Sequence, residues 1–254
     1  MNQINRTDGG LIDQEKVLNF TFNGQILKGY EGDTLASALL ANNKHLIGRS
    51  FKYHRPRGIV TAGSEEPNAI MEIGNGAYRE PNTRATVTKL YNGLEANSQN
   101  HRGPLSFDFM AITDFLSPLL GAGFYYKTFM WPKAFWEKFY EPAIRKSAGL
   151  GKLATEADPD TYDKGFRHCD ILIIGSGATG LSAALTAAES GAKIILADED
   201  FLMGGRLNSE TNKIDGMAGS EWAKKTVAKL SAMENVTLMS DTTVFGAYDH
   251  GIYG

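Results

Sequence analysis

The chain has 254 residues, of which 42% are hydrophobic and 22% are charged, and its formal net charge is −3. This composition excludes wholesale disorder, and the slight acidity argues against a nucleic-acid-binding protein. One cysteine cannot form an internal disulfide or a site with four thiolates, so neither a metal site nor an iron–sulfur cluster is expected.

The N-terminal part predicts a flexible lead-in over residues 1–14, followed by a β-hairpin. The runs Val17–Phe22 and Gln25–Tyr30 read as strands, and Asn23-Gly24 between them is a dipeptide that tight hairpin turns prefer. Residues 1–16 are polar and lack the apolar core of a signal peptide, which favours a cytoplasmic location.

A short helix is predicted after the hairpin. Asp33 is a good N-cap residue, and the following Thr34–Ala41 carries leucine and alanine on one helical stripe. The pieces after residue 49 are short and strand-like, and Val87–Tyr91 is the clearest of them. Because a hairpin followed by a helix is how a small β-grasp domain begins, we place such a domain at residues 15–103.

The segment Arg49–Gly58 is unusually basic, with four fixed cations and one histidine within nine residues. A run of charge is often only a solvated face. Guanidinium groups also clamp phosphate or carboxylate, so an anion site or a partner contact is a second interpretation. Contact with nucleic acid is a third.

Residues 104–168 are predicted to connect two domains. Nine of the seventeen residues from Phe124 to Tyr140 are aromatic, and Trp131, Phe135 and Phe139 have the spacing of one helix face. Core packing and a subunit interface both agree with this pattern. Basic residues are too few here for an amphipathic membrane helix.

Residues 169–254 alternate between strand and helix patterns, including a predicted helix at Ala178–Ser190 and a predicted final strand at Thr242–Phe245. The charge-free stretch 171–188 has about the length of a membrane span, but its glycines favour a turn between a strand and a helix, so we expect no membrane contact. Three strands would leave an unpaired sheet edge. We therefore expect a truncated domain that further sheet completes.

This region contains a G-x-G-x-x-G pattern. It follows an apolar strand and opens a helix, and the next strand ends in an acidic residue, Asp198. Glycine lets the backbone approach a pyrophosphate at the helix N-terminus, and a carboxylate accepts hydrogen bonds from the ribose and repels a 2′-phosphate. NAD is predicted, with FAD as the alternative. The candidate cofactor-binding residues are Gly175, Ser176, Gly177, Ala178, Thr179, Gly180, Asp198, Glu199, Gly204, Gly205 and Arg206.

Several stretches resemble the alpha subunits of heterotetrameric sarcosine oxidases: Phe20–Gly24, Tyr30–Ala41, Gly48–Gly58, the glycine pattern running to Asp198 and Gly204-Gly205, and residues 242–250. The resemblance implies an α+β part followed by an α/β part. The first is a ferredoxin-like β-grasp domain, and the second is an incomplete Rossmann-like FAD/NAD(P)-binding domain. Because residues 15–100 contain no cysteine, we expect no iron–sulfur cluster in the first.

The resemblance also implies a reaction. Sarcosine is oxidised to glycine with formation of hydrogen peroxide, and the one-carbon unit passes to tetrahydrofolate. It implies FMN and FAD in the complete complex, and beta, gamma and delta subunits as partners. No catalytic residue can be named, and the fragment alone is expected to be inactive. One alternative is the subunit of a related flavoprotein dehydrogenase that acts on another secondary amine, for example an opine dehydrogenase or a cyanide-forming glycine oxidase. The other alternative is a nucleotide-binding scaffold without catalytic activity.

Overall fold

The structure is a computed structural model that describes residues 3, 5–7, 10–127, 129, 131–147 and 151–254. The chain divides into two compact units, one built mainly from residues 12–160 and the other mainly from residues 161–254. Each unit has its own cluster of buried hydrophobic side chains.

The first unit is organised around a five-stranded mixed sheet. The elements of this part are β1 Asp13–Phe22, β2 Gln25–Glu31, α1 Leu35–Ala41, β3 Gly48–Arg49, β4 Pro56–Arg57, β5 Ile70–Ile73, β6 Glu80–Arg84 and β7 Glu95–Ser98. The strand order of the sheet is β2-β1-β7-β5-β6, in which β1 and β7 are parallel and the other neighbours are antiparallel. The predicted hairpin turn is confirmed, because Asn23 and Gly24 both have positive φ, as a type I′ turn requires.

Helix α1 lies on this sheet through its buried leucine and alanine side chains. The prediction that Asp33 caps the helix is wrong. Thr34 is the N-cap, and its side chain accepts a hydrogen bond from the backbone of Ser37. The Asp33 carboxylate is instead fully buried, where it pairs with the Arg6 guanidinium at 2.7 Å and accepts hydrogen bonds from Tyr30 N and Ser37 Oγ.

The predicted strand Val87–Tyr91 is also absent. This segment forms turns and one isolated bridge, between Thr34 and Lys89. Its backbone is used to hold the start of α1, since Leu35 N donates to Thr88 O and Leu90 N donates to Asp33 O. The apolar side chain that made the segment resemble a strand, Leu90, is fully buried in the core.

The aromatic part of the connecting segment consists of short helical pieces. These include α2 Ile112–Phe115, α3 Phe124–Lys127 and α4 Glu141–Ser147, and a π-helical turn covers Trp136–Tyr140. The side chains of Trp131, Phe135 and Phe139 are all exposed, at 83%, 45% and 59%. These exposed fractions contradict core packing, which was one of the two interpretations of this stripe.

The second unit contains a three-stranded parallel sheet. The elements of this unit are β8 Ile171–Ile174, α5 Ala178–Glu189, β9 Ile194–Ala197, β10 Lys213–Ile214, β11 Met217–Ala218, α6 Gly219–Ser231, β12 Val236–Met239, β13 Ala247–Tyr248 and β14 Ile252–Tyr253. The strand order of the parallel sheet is β12-β9-β8, and apolar side chains of two helices and of the central strand pack together in its core. The predicted strand Thr242–Phe245 is absent, and pairing occurs slightly later in the chain, between β13 and β14.

The charge-free stretch 171–188 is thus a strand, a turn and most of a helix. Within the residues that the structure describes, no helix has the length and the apolar character to cross a membrane.

Candidate functional site

The first glycine turn joins β8 to α5. Gly175 has φ +91°, a value that favours glycine. Gly180, in the first turns of α5, packs directly on this loop: a Cβ atom placed on it would lie 1.9 Å from the carbonyl oxygen of Gly175. The close packing of helix against turn therefore depends on the missing side chain at Gly180.

Gly177 has a different role in the same turn. It is the N-cap residue of α5, with extended backbone angles that any residue adopts. A Cβ atom on Gly177 would meet no other atom within 4 Å, so the space in front of it is open. No side chain caps this end of α5 and no acidic residue lies in its first turn. Free N–H groups and the positive end of the helix dipole attract an anion to such a position.

A second glycine turn approaches the first. Gly204 and Gly205 both have positive φ, +129° and +52°. A Cβ atom on Gly205 would lie 3.2 Å from the Cα of Gly177, so these backbones are already close to contact. The backbone N–H of Gly204 also donates a hydrogen bond of 3.0 Å to the Ser176 hydroxyl. The two turns form one cradle, which the Ser176 side chain links and in which the backbone of Gly177 and Gly205 borders the open space.

Asp198 follows β9 and lies beside this cradle. Its side chain is buried, with Oδ2 accepting from Ser176 N and Oδ1 accepting from Asp200 N. A carboxylate has about four acceptor positions, so each oxygen keeps capacity for one more donor. A ribose offers two neighbouring hydroxyl groups, which match that remaining capacity.

The other candidate residues lie at the border of the cradle or outside it. Ala178 and Glu199 are half-buried, and Thr179 is exposed on α5. The Arg206 side chain is 89% exposed and forms an ion pair with Glu210 at 2.8 Å. The structure therefore brings together the two glycine turns, Ser176 and Asp198. What the sequence pattern did not reveal is the role of the Ser176 hydroxyl, because its acceptor function depends on a turn 28 residues away.

The basic segment Arg49–Gly58 forms hydrogen bonds and ion pairs within the first unit. Arg49 is buried and donates to the carbonyl oxygens of Leu105 and Ser106, and His54 Nδ1 lies 2.6 Å from Asp108 Oδ2. Arg55 pairs with Asp114 at 2.7 Å. The segment therefore fastens residues 105–114 to the sheet domain, and Arg49, His54 and Arg55 do not form an anion site.

Two buried carboxylates of the first unit are held ionised by their surroundings. Burial alone would raise the pKa of Glu66, but backbone N–H groups of Thr61, Asn68 and Val60 and the Thr61 hydroxyl hold it below its usual range. Burial alone would also raise the pKa of Asp108, but the backbone N–H groups of Arg102 and Met110 and the His54 ring lower it. Both carboxylates organise loops. Among the described residues, no group of three or more acidic, histidine or cysteine side chains could hold a metal ion.

Two family matches cover most of the chain. Residues 15–101 match a family described as "2Fe-2S iron-sulfur cluster binding domain", and residues 170–244 match a family described as "FAD dependent oxidoreductase". A crystal structure of L-proline dehydrogenase from P. horikoshii has a TM-score of 0.54 at 20% identity, covering 94% of this chain and 36% of that one. That likeness concerns the fold alone.

The curated relatives agree with these matches. Sarcosine oxidase subunit alpha of Rhizobium meliloti (strain 1021) is 58% identical over 245 residues, which are 96% of this chain and 25% of that protein. The subunit of the same name from Corynebacterium sp. (strain U-96) is 33% identical over 96% of this chain and 21% of its own length. The chain thus spans a quarter or less of the length of these relatives.

The first family match corrects one expectation. We expected a ferredoxin-like domain without an iron–sulfur cluster, whereas residues 15–101 match a family described by its 2Fe-2S cluster. The match rests on positions other than cysteine, because Cys169 is the single cysteine of the chain and lies outside the matched residues. Cysteine thiolates hold such clusters. The residues of 15–101 supply none, and we assign no chemical step to a cluster.

A domain of the 2Fe-2S ferredoxin-like family is therefore followed by an FAD-dependent oxidoreductase region. The resemblance seen in the sequence is confirmed. Along nearly its whole length, the chain is homologous to part of the alpha subunit of sarcosine oxidase.

Proposed function

We propose that the glycine turns and Asp198 bind the ADP portion of an adenine dinucleotide, in a Rossmann-like arrangement. The observation that carries this proposal is the open space at Gly177, which lies at the uncapped N-terminus of α5 and is bordered by the backbone of Gly205. Pyrophosphate suits this position because N–H groups and the helix dipole stabilise its charge.

The ribose end of the ligand is assigned to Asp198. Both of its carboxylate oxygens keep acceptor capacity, and the hydrogen bonds from Ser176 N and Asp200 N hold the group in place. Three consecutive acidic residues, Asp198–Asp200, follow β9. Their charge disfavours a 2′-phosphate, so the proposed ligand is FAD or NAD and not NADP.

The bound nucleotide can be identified directly. The protein is purified without added nucleotide and denatured, and the released material is analysed by mass spectrometry and by absorbance. A flavin spectrum with the mass of FAD supports the chemistry named in the family description, whereas absorbance of adenine and nicotinamide alone supports NAD, as we expected from the sequence. Absence of any adenine dinucleotide, together with no calorimetric binding of ADP-ribose, would contradict the proposal.

At the level of the whole enzyme, we propose a role as part of an alpha subunit in a multi-subunit oxidase of secondary amines. The 58% identity to a sarcosine oxidase alpha subunit supports sarcosine as substrate. Hydrogen peroxide formation, one-carbon transfer to tetrahydrofolate, a second flavin and the partner subunits belong to the same proposal.

This role is tested in the assembled enzyme. Beta, gamma and delta subunits are co-purified with the chain in its native polypeptide, and peroxide is measured with sarcosine, proline and an opine. Activity with sarcosine alone supports the proposal, and preference for another amine favours a related dehydrogenase. Full activity after complete removal of nucleotide from this subunit would instead make it a scaffold.

A further inference from the structure

Ser176 is the residue that connects the parts of the candidate site. Its backbone N–H donates to Asp198 Oδ2, and its hydroxyl oxygen accepts from Gly204 N at 3.0 Å. The side chain is completely buried. One residue therefore touches the ribose-binding carboxylate on one side and the second glycine turn on the other.

The second glycine turn depends on this hydrogen bond. Gly204 is buried, and its φ of +129° lies outside the conformations of regular helix and strand. Without the Ser176 hydroxyl, its N–H would have to find another acceptor or remain unpaired in a buried position. A buried, unpaired N–H is costly, so the turn would move to reach water. Gly205, which borders the open space at Gly177, would move with it.

We infer that Ser176 is a positioning residue that sets the distance between Asp198 and the second glycine turn. This inference rests on the proposed binding of a dinucleotide. Ligands with a pyrophosphate need both parts of the cradle at the correct distance, whereas adenosine needs only the part formed by Asp198. Loss of the hydroxyl should therefore weaken the first class of ligand much more than the second.

The test compares three full-length proteins by calorimetry with ADP-ribose and with adenosine. They are the unchanged chain, Ser176→Ala and the control Ser190→Ala, which removes an exposed hydroxyl at the end of α5. For Ser176→Ala we expect about a tenfold weaker ADP-ribose affinity, the size of one lost hydrogen bond at a buried group. Adenosine affinity should change less than about twofold, and Ser190→Ala should match the unchanged chain.

The outcomes separate the two proposals. If the unchanged chain binds ADP-ribose and Ser176→Ala binds it equally well, or loses both ligands in the same proportion, the positioning role is overturned while dinucleotide binding stands. If the unchanged chain binds neither ligand, dinucleotide binding itself fails. Should Ser176→Ala not fold, Ser176→Cys tests the same point, because a thiol has nearly the size of the hydroxyl but is a much weaker acceptor for Gly204 N. It should produce the same selective loss of ADP-ribose.

Discussion

The carbonyl oxygen of Gly175 fills the space that a side chain at Gly180 would need, because a Cβ atom on Gly180 would lie only 1.9 Å from this oxygen. Backbone cannot move aside as the end of a flexible side chain can, so this contact requires glycine. We expect Gly180→Ala to lower the free energy of unfolding by about 3 kcal/mol, as in severe overpacking. Urea denaturation followed by circular dichroism measures this loss.

The matched control for that substitution is Gly165→Ala. Its Cβ would meet nothing within 4 Å, and its φ is not in the left-handed region. A Gly180→Ala protein as stable as this control would mean that the turn at Gly175 does not have the described geometry.

Asp198 supports both the turn and the proposed ribose contact. Asp198→Ala removes the acceptor for Ser176 N and Asp200 N, so we expect a loss of about 2 kcal/mol in stability. The affinity for ADP-ribose should fall by at least about tenfold, because a good hydrogen bond to a charged group contributes about 1.5 kcal/mol or more. Denaturation and calorimetry measure the two effects. The exposed Glu234→Ala serves as control, and an Asp198→Ala protein with unchanged ADP-ribose affinity would contradict the ribose assignment.

The Glu66 carboxylate makes the stability of the first unit depend on pH. Its pKa is lower in the folded chain than its usual value. The stabilisation is therefore complete above the usual pKa of glutamate and is lost as the pH falls through the folded pKa. Glu66→Gln should cost about 2 kcal/mol at neutral pH, because an amide cannot accept all the hydrogen bonds that the carboxylate accepts.

The measurement is thermal unfolding of the full chain at several pH values. The difference between the unchanged chain and Glu66→Gln should shrink towards acidic pH. The neighbouring exposed residue provides the control Glu65→Gln, for which no such difference is expected. A difference that stays constant down to strongly acidic pH would show that Glu66 is not ionised in the folded chain.

The His54–Asp108 contact fastens the connecting segment to the sheet domain. Asp108→Ala removes the acceptor of the Arg102 and Met110 N–H groups as well as the His54 partner. We expect a loss of about 3 kcal/mol, since several buried donors are left unpaired, and faster proteolytic cleavage within residues 105–120. Asp114→Ala breaks only the half-exposed pair with Arg55 and should leave the cleavage rate unchanged. Equal cleavage of both variants would contradict the fastening role.

Local signals predicted much of the second unit and less of the first. The helix expected at 178–190 is observed as Ala178–Glu189, because glycines bound it on both sides. The strand expected at 87–91 is absent, because buried Leu90 serves the core while the backbone of that segment holds α1. The periodicity of a sequence indicates which side chains are buried, but it does not show which backbone groups a segment will form hydrogen bonds with.

The candidate site shows the same division. The three glycines and Asp198 follow a motif with known spacing, so the sequence alone predicts that Asp198, at the end of the next strand, lies beside the glycine turn. The pairing of Ser176 with Gly204 depends on where a loop 28 residues away lies. Arg206 instead pairs with Glu210, only four residues further along the chain. For the basic segment, charge indicated an anion site, yet its partners are carbonyl and carboxylate oxygens 50 to 60 residues further along the chain, such as Leu105 O and Asp114 Oδ1.

The most direct test of dinucleotide binding is the ADP-ribose affinity of Gly177→Ala. The new Cβ would meet no protein atom within 4 Å and the backbone angles suit alanine, so stability should fall only by the loss of the N-cap preference, under about 1 kcal/mol. The same Cβ would occupy the space proposed for the pyrophosphate, so we expect calorimetry to show at least about a hundredfold weaker binding, or about 2.7 kcal/mol. A Gly177→Ala protein that melts normally and binds ADP-ribose as well as the unchanged chain would contradict the account.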